Sequence, residues 1–157
     1  MIIRQLTQLE EQDRINGLEK EEWKLNSQYN LDKGFVIGFG CFDKDIQVGR
    51  LYTSISHDAR FSKIDNEQLF LADDNTQYLL SAWIDEKYRG QHCFTKLLCY
   101  VEQVLKEQYG CKSVFLGVET NNVKAKEIYY HLGYIKEINR VVDSNNEVII
   151  YLEKNLE

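Results

Sequence analysis

The sequence predicts an α/β domain built on one mixed sheet, and three observations carry that prediction. Strand-like runs come early, at residues 34–42 and 46–56, joined by Asp43-Lys44-Asp45, a composition suited to a hairpin turn. From residue 78 onward, strand-like and helix-like segments alternate, an order that sets two strands side by side in parallel. Between the two such strands, Phe94, Leu97, Leu98, Val101, Val104 and Leu105 recur at offsets of three and four, one apolar stripe at the helical period.

Taken in order, residues 1–4 read as a short strand. Thr7-Gln8-Leu9-Glu10 is a capping box opening a short helix that Gly17 can close. A second helix covers residues 18–29, with Leu18, Glu22, Leu25 and Tyr29 along one side. After the hairpin, residues 57–75 are polar and irregular, with a short helix or strand at 67–71. Residues 78–84 form an apolar strand that turns through Tyr88-Arg89-Gly90-Gln91-His92-Cys93-Phe94 into a helix over 91–109. Residues 114–118 read as a buried strand, followed by a polar turn over 119–122. The next helix carries Ala125, Ile128, Tyr129 and Leu132 on one face, and Gly133 suits the position just past its end. Two strands, at 134–142 and 147–153, finish the chain.

Composition narrows the function. With 157 residues, the chain predicts a single domain that buries roughly 70% of its unfolded surface. An apolar fraction of 43%, with 7 Phe and 10 Tyr, argues against disorder. Net charge of -6 without a basic stripe argues against nucleic acid. Cys41, Cys93, Cys99 and Cys111 show no CxxC spacing, and no secretory segment is apparent, so reduced thiols in a cytoplasm are expected. No run approaches the roughly 20 apolar residues of a membrane span. His92 and Cys93 are adjacent at a helix start and point apart, so no metal site is expected.

A strand that turns through Arg89-Gly90 straight into a helix leaves backbone N–H groups unpaired at the positive end of the macrodipole, a site for phosphate. Further on, Asn122, Ala125, Tyr129 and Gly133-Tyr134 follow at fixed spacing. Together with the Tyr88-Arg89-Gly90 turn, this spacing resembles the GNAT superfamily of acyl-CoA N-acyltransferases over residues 76–134. The resemblance implies a mixed, mostly antiparallel twisted sheet with a central splayed parallel strand pair and helices on both faces. It also implies an N-acetyltransferase that takes acetyl-CoA as cosubstrate and a primary amine, small or protein-borne, by direct attack in a ternary complex. A homodimer is compatible with it. Two departures stand out. The family's pyrophosphate loop, Arg/Gln-x-x-Gly-x-Gly/Ala, has His92 and Phe94 at its last two small positions here, and Glu86 stands where the family often has proline. The imidazole can act as a donor, while Phe94 is expected to turn into the core. The loss of small residues keeps a second reading open, a non-catalytic acyl-CoA-binding or sensing module. A nucleotide-binding regulator is a third, disfavoured by the lack of any Gly-x-Gly-x-x-Gly or Walker pattern.

The resemblance further implies roles for individual residues. Backbone at Trp83, Ile84 and Asp85 would bond the pantetheine arm and polarise the thioester. The amides of Arg89, Gly90, Gln91, His92, Cys93 and Phe94 would hold the pyrophosphate, with charge from Arg89 and from Lys87 or Lys96. Asn122 would bond a pantetheine amide, a role compatible with capping its helix. Tyr129 would lie beside the sulfur, unless it is only a core aromatic. Its phenol, near 10, is about 1.5 units weaker as an acid than a thiol near 8.5, so full proton donation is about 2 kcal/mol uphill. Hydrogen bonding to the departing thiolate and general acid catalysis both stay open. The base is not readable, because direct transfer from an amine near 10 to a carboxylate near 4 is about 8 kcal/mol uphill. Asp85 and Glu119, at the ends of the central strands, are the nearest candidates, with ordinary surface acids as the alternative. Glu19, Glu21 and Glu22 on one segment and Asp65, Glu67, Asp73 and Asp74 on another suggest a cationic acceptor entering between them.

Overall fold

The computed structural model describes residues 1–9 and 20–157. Among them the order is β1 (Ile2–Leu6), α1 (Lys20–Asp32), β2 (Val36–Asp43), β3 (Ile46–Ser54), α2 (Lys63–Gln68), β4 (Thr76–Ile84), α3 (Cys93–Tyr109), β5 (Ser113–Glu119), α4 (Val123–His131), β6 (Lys136–Val142) and β7 (Val148–Asn155). The strands make one sheet in the order β1-β2-β3-β4-β5-β7-β6. Only β4 and β5 pair in parallel among the described strands, which is the mixed sheet read from the sequence.

Each face of the sheet carries its own core. Leu79 clusters with Leu97, Leu98, Val101 and Leu105 of α3, with Ala125 and Tyr129 of α4, and with Leu132 just past its end. Its neighbours Tyr78 and Leu80 point the other way, toward Trp23 and Leu31 of α1 and toward Leu69. Leu97, Leu98, Val101 and Leu105 are wholly buried and Val104 nearly so. Burying these five side chains stabilises the α3 contact by on the order of 10 kcal/mol of transfer free energy, an upper figure because unfolded chains are partly compact.

Boundaries shift where local chemistry outweighs hydrophobic pattern. The short helix or strand expected at 67–71 is a helix that begins earlier, at Lys63, because the Ser62 hydroxyl accepts from the Asp65 amide and caps it. Residues Leu69–Leu71 follow as a 3₁₀ turn. Helix α1 runs on to Asp32, three residues beyond the expected end, and Leu31 packs on the core. The capping box at Thr7 to Glu10, its helix to Gly17 and the expected helix start at Leu18 lie outside the described residues, or partly so.

The feature that makes a site is the brevity of the parallel pairing. It runs only from Thr76↔Ser113 to Leu79↔Leu116. Beyond that, β5 stays with β7 as far as Glu119↔Ile149, while β4 stays with β3. On the β4 side, Tyr52↔Leu80 is followed by Arg50↔Trp83, so Ser81 and Ala82 together oppose Leu51. This bulge, with Ser81 at φ 56, bends β4 away from β5. The extra residue also sets Leu79 and Ile84 on one face and Leu80 and Trp83 on the other.

Candidate active site

A groove of about 600 Å³ lies between the start of α3 and α4. The turn that leads into α3 places Gly90 at φ 75 with nothing within 4 Å of where a Cβ would stand. His92, the residue before the helix, adopts φ 62. That is the left-handed conformation a glycine takes most easily, here held by a histidine. The amides of residues 90–95 have no hydrogen-bond partner among the described residues. They form a row of donors at the positive end of a 17-residue helix. Arg89 reaches back, its Nε donating to the Ile84 carbonyl at 3.0 Å. Of the lysines near this end, Lys124 lines the groove, whereas Lys87 and Lys96 do not. Its signal was its place two residues after Asn122, at the start of the facing helix.

The three backbone units expected to meet a pantetheine arm separate. The Asp85 amide donates to the Val48 carbonyl at 2.8 Å, extending the β3–β4 ladder, and Trp83 pairs with Arg50. By antiparallel alternation the Ile84 amide points away from β3, and Ile84 lines the groove. The expectation therefore narrows to Ile84. The Trp83 ring lies on the opposite face, 5.3 Å from the Arg50 guanidinium. The Asp85 carboxylate is 8% exposed and accepts from the Lys87 amide at 3.1 Å, capping the turn Glu86–Tyr88. Its side chain is thus engaged in shaping the turn. Glu119 is exposed at the end of β5 and lines no cavity described here.

Where β4 and β5 part, a cavity of about 150 Å³ opens between Ser81, Ala82, Gly117, Phe94, Asp65 and Tyr129. Tyr129 is half-buried, edge-on to Phe94 at 6.0 Å and to Tyr134 at 6.1 Å. Tyr134 is held in turn: its hydroxyl donates to Glu102 at 2.6 Å, and Lys154 donates to the same carboxylate at 2.8 Å. Burial alone raises the Tyr129 phenol above its ordinary value. Tyr130 is 45% exposed and faces solvent. Phe94 packs against the core as expected but stays half-buried, and it lines both the groove and this cavity. Asn122 lines the groove while its side chain accepts from the Ala125 amide at 3.2 Å, so its capping role is present.

A further pocket of about 410 Å³ lies between α1 and the segment before β4, with Glu22, Trp23, Arg60 and Asp65 on its walls. Of the acidic residues expected to draw a cation, Glu22 and Asp65 line it. Glu21, Glu67, Asp73 and Asp74 do not, and Glu19 lies outside the described residues. Asp65 also lines the cavity at the strand fork, a position the sequence reading did not single out. Its Oδ1 accepts from the Tyr78 hydroxyl at 2.7 Å and its Oδ2 from Ser62 Oγ at 2.8 Å.

Comparison with known proteins adds to this geometry. Residues 4–134 match the acetyltransferase (GNAT) family. The chain is 34% identical over 71 residues to a spermine/spermidine N(1)-acetyltransferase of Bacillus subtilis strain 168, a match covering 45% of each chain. It thus spans about half the length of the curated relatives it matches. Among solved structures, an aminoglycoside 6'-N-acetyltransferase complexed with coenzyme A superposes with a TM-score of 0.64 at 16% identity, covering 100% of this chain and 98% of that one. A spermidine N-acetyltransferase of Vibrio cholerae gives 0.70 at 11% identity, covering 99% and 95%. At such identities these two show the fold alone.

Proposed function

Because the chain belongs to the GNAT family of acetyltransferases, we propose that it moves the acetyl group of acetyl-CoA to a primary amine by direct attack with both substrates bound. The observation that carries this reading is the row of unpartnered amides at residues 90–95, set on a groove whose Phe94 wall is shared with the Tyr129 cavity. Acetyl-CoA supplies the activated acyl group, and the balanced outcome is an N-acetyl amine, free CoA thiol and one proton from the starting ammonium.

The chain's own groups fit defined parts of that task. Amides 90–95 and the nearby Arg89 and Lys124 suit a diphosphate, through fixed donors and positive charge. The Ile84 amide and the Asn122 side chain suit a polar, extended arm lying between β4 and α4. Tyr129 suits the sulfur. Since burial raises its pKa, complete proton donation to a thiolate is more uphill than the sequence implied. Hydrogen bonding to the developing thiolate charge, with the proton drawn from solvent, is the role we assign it. The α1-side pocket suits the amine, and its Glu22 and Asp65 favour a cationic one. The names of the Bacillus relatives add weight to a polyamine-type acceptor. Four free cysteines, three of them buried, fit a reducing compartment and so a cytoplasmic enzyme.

The left-handed backbone at His92, a conformation open to a small residue, supports the enzyme reading over a purely binding module. The test is thiol release from acetyl-CoA across a panel of polyamines, aminoglycosides, amino acids and peptide amines, with calorimetric binding of CoA beside it. Tight CoA binding without thiol release over the whole panel would refute the enzyme reading in favour of a sensing module.

A further inference from the structure

We propose that the Asp65 carboxylate receives the ammonium group of the acceptor and holds it at the mouth of the strand fork, making Asp65 a specificity-determining residue. The assignment rests on the acetyl-transfer reading above. Among the described residues, Asp65 and Ser81 alone line both the α1-side pocket and the cavity beside Tyr129. The two spaces therefore adjoin at this carboxylate. The group is held in place before any ligand arrives. Tyr78 is 3% exposed and stacks on Phe115 at 4.8 Å, so the hydroxyl that binds Oδ1 sits on an immobile ring. Ser62 binds Oδ2 from the other side.

Each carboxylate oxygen accepts one hydroxyl and keeps a second lone pair, which matches a donor carrying three N–H bonds. Capping of α2 engages the Asp65 amide and one side of Oδ2 and leaves the charge itself uncompensated by any cation among the described residues. Arg60, the other charged group on the pocket wall besides Glu22, is turned onto the Tyr29 ring, its guanidinium 3.5 Å from the centroid. Glu22 lines only the outer pocket, where it suits a second positive group on the same acceptor. A carboxylate this close to the fork attracts and orients the ammonium. Attack uses the neutral amine, the minor fraction of a group near pKa 10 at neutral pH, whose proton is given up to bulk solvent; Asp65 holds the ammonium and is not its base.

Steady-state kinetics with acetyl-CoA and the best cationic amine of the panel test this, using Asp65→Asn and Asp65→Glu. Asp65→Asn should raise the KM for the amine by about 30-fold or more, with the KM for acetyl-CoA within about threefold. Asp65→Glu should recover most of the loss. The wild-type amine KM should rise with ionic strength, and that of Asp65→Asn should rise less steeply, Glu22 remaining. An unchanged amine KM in Asp65→Asn, or equal impairment of both variants, overturns the assignment while acetyl transfer stands. Should Asp65→Asn fail to fold, a wild-type KM flat across ionic strength overturns it instead. A wild type that prefers neutral amines also overturns it, and one that turns over no amine overturns acetyl transfer and this assignment together.

Discussion

Gly90→Asp is the sharpest perturbation of the cofactor groove. Gly90 has φ 75 and open space around its missing Cβ, so an added side chain meets no atom. Aspartate tolerates the left-handed region better than most residues, and the backbone cost is about 1 kcal/mol. The new carboxylate would stand beside the unpartnered amides of residues 90–95, against the diphosphate of CoA. At a separation of about 6 Å in full aqueous screening, Coulomb repulsion is about 0.7 kcal/mol per unit charge. With about two phosphate charges it reaches about 1.4 kcal/mol, a tenfold loss of affinity, and weaker screening in the groove increases it. Calorimetric titration with CoA measures the loss, and thermal unfolding checks that the fold survives. A folded Gly90→Asp protein that binds CoA as tightly as the wild type would refute the assignment of this helix start.

Three further outcomes are expected. Tyr129→Phe removes a hydroxyl with no hydrogen bond among the described residues, so stability should change by less than about 1 kcal/mol, while kcat should fall about 10- to 1,000-fold with little change in CoA affinity; normal kcat would leave Tyr129 a packing residue. His92→Gly should keep CoA affinity within about threefold, whereas His92→Val, branched at a left-handed position, should cost about 1–2 kcal/mol in denaturant unfolding; a tenfold loss of CoA binding in His92→Gly would make the imidazole itself a ligand. Burial and nearby carboxylates raise Tyr78 and Tyr134, and burial first raises Tyr151 to about 12. Their folded values exceed the unfolded value near 10, so the stability they contribute is present below pH 10 and drains away as pH rises between about 10 and 12. Each tyrosine steepens the fall by up to about 1.4 kcal/mol per pH unit, and melting temperatures across that range should drop accordingly.

Much of this fold was legible because its elements announce themselves locally. The α3 stripe, the two-residue turn at Lys44-Asp45 and the glycine after α4 each need only neighbouring residues to be read. The site divides differently. Asn122 and Tyr129 were visible through their spacing on one helix, and the Arg89-Gly90 turn through its position between strand and helix. Three things were hidden. The bulge at Ser81 and Ala82 has no glycine to mark it, and it decides that Ile84 rather than Trp83 or Asp85 faces the groove. The left-handed backbone at His92 is uncommon for any residue but glycine, so the residue type alone did not announce it. Asp65 looked like one of several acids, because only the tertiary meeting of α2 with β4 sets it apart, through Tyr78.

The two halves of the fork are written in different materials. In the acetyl-transfer reading proposed above, the groove-side contacts come chiefly from main-chain N–H groups, which nearly any side chain can present so long as the backbone follows its path. On the amine side, in the same reading, they come from the side chains of Glu22 and Asp65, each of which a single base change can replace. Drift in the sequence would therefore leave one partner fixed while the other changes, and a scaffold of this kind can be re-aimed at a new amine without rebuilding its hold on the donor. It also follows that engineering of selectivity should begin on α1 and on the segment before β4, leaving the start of α3 untouched.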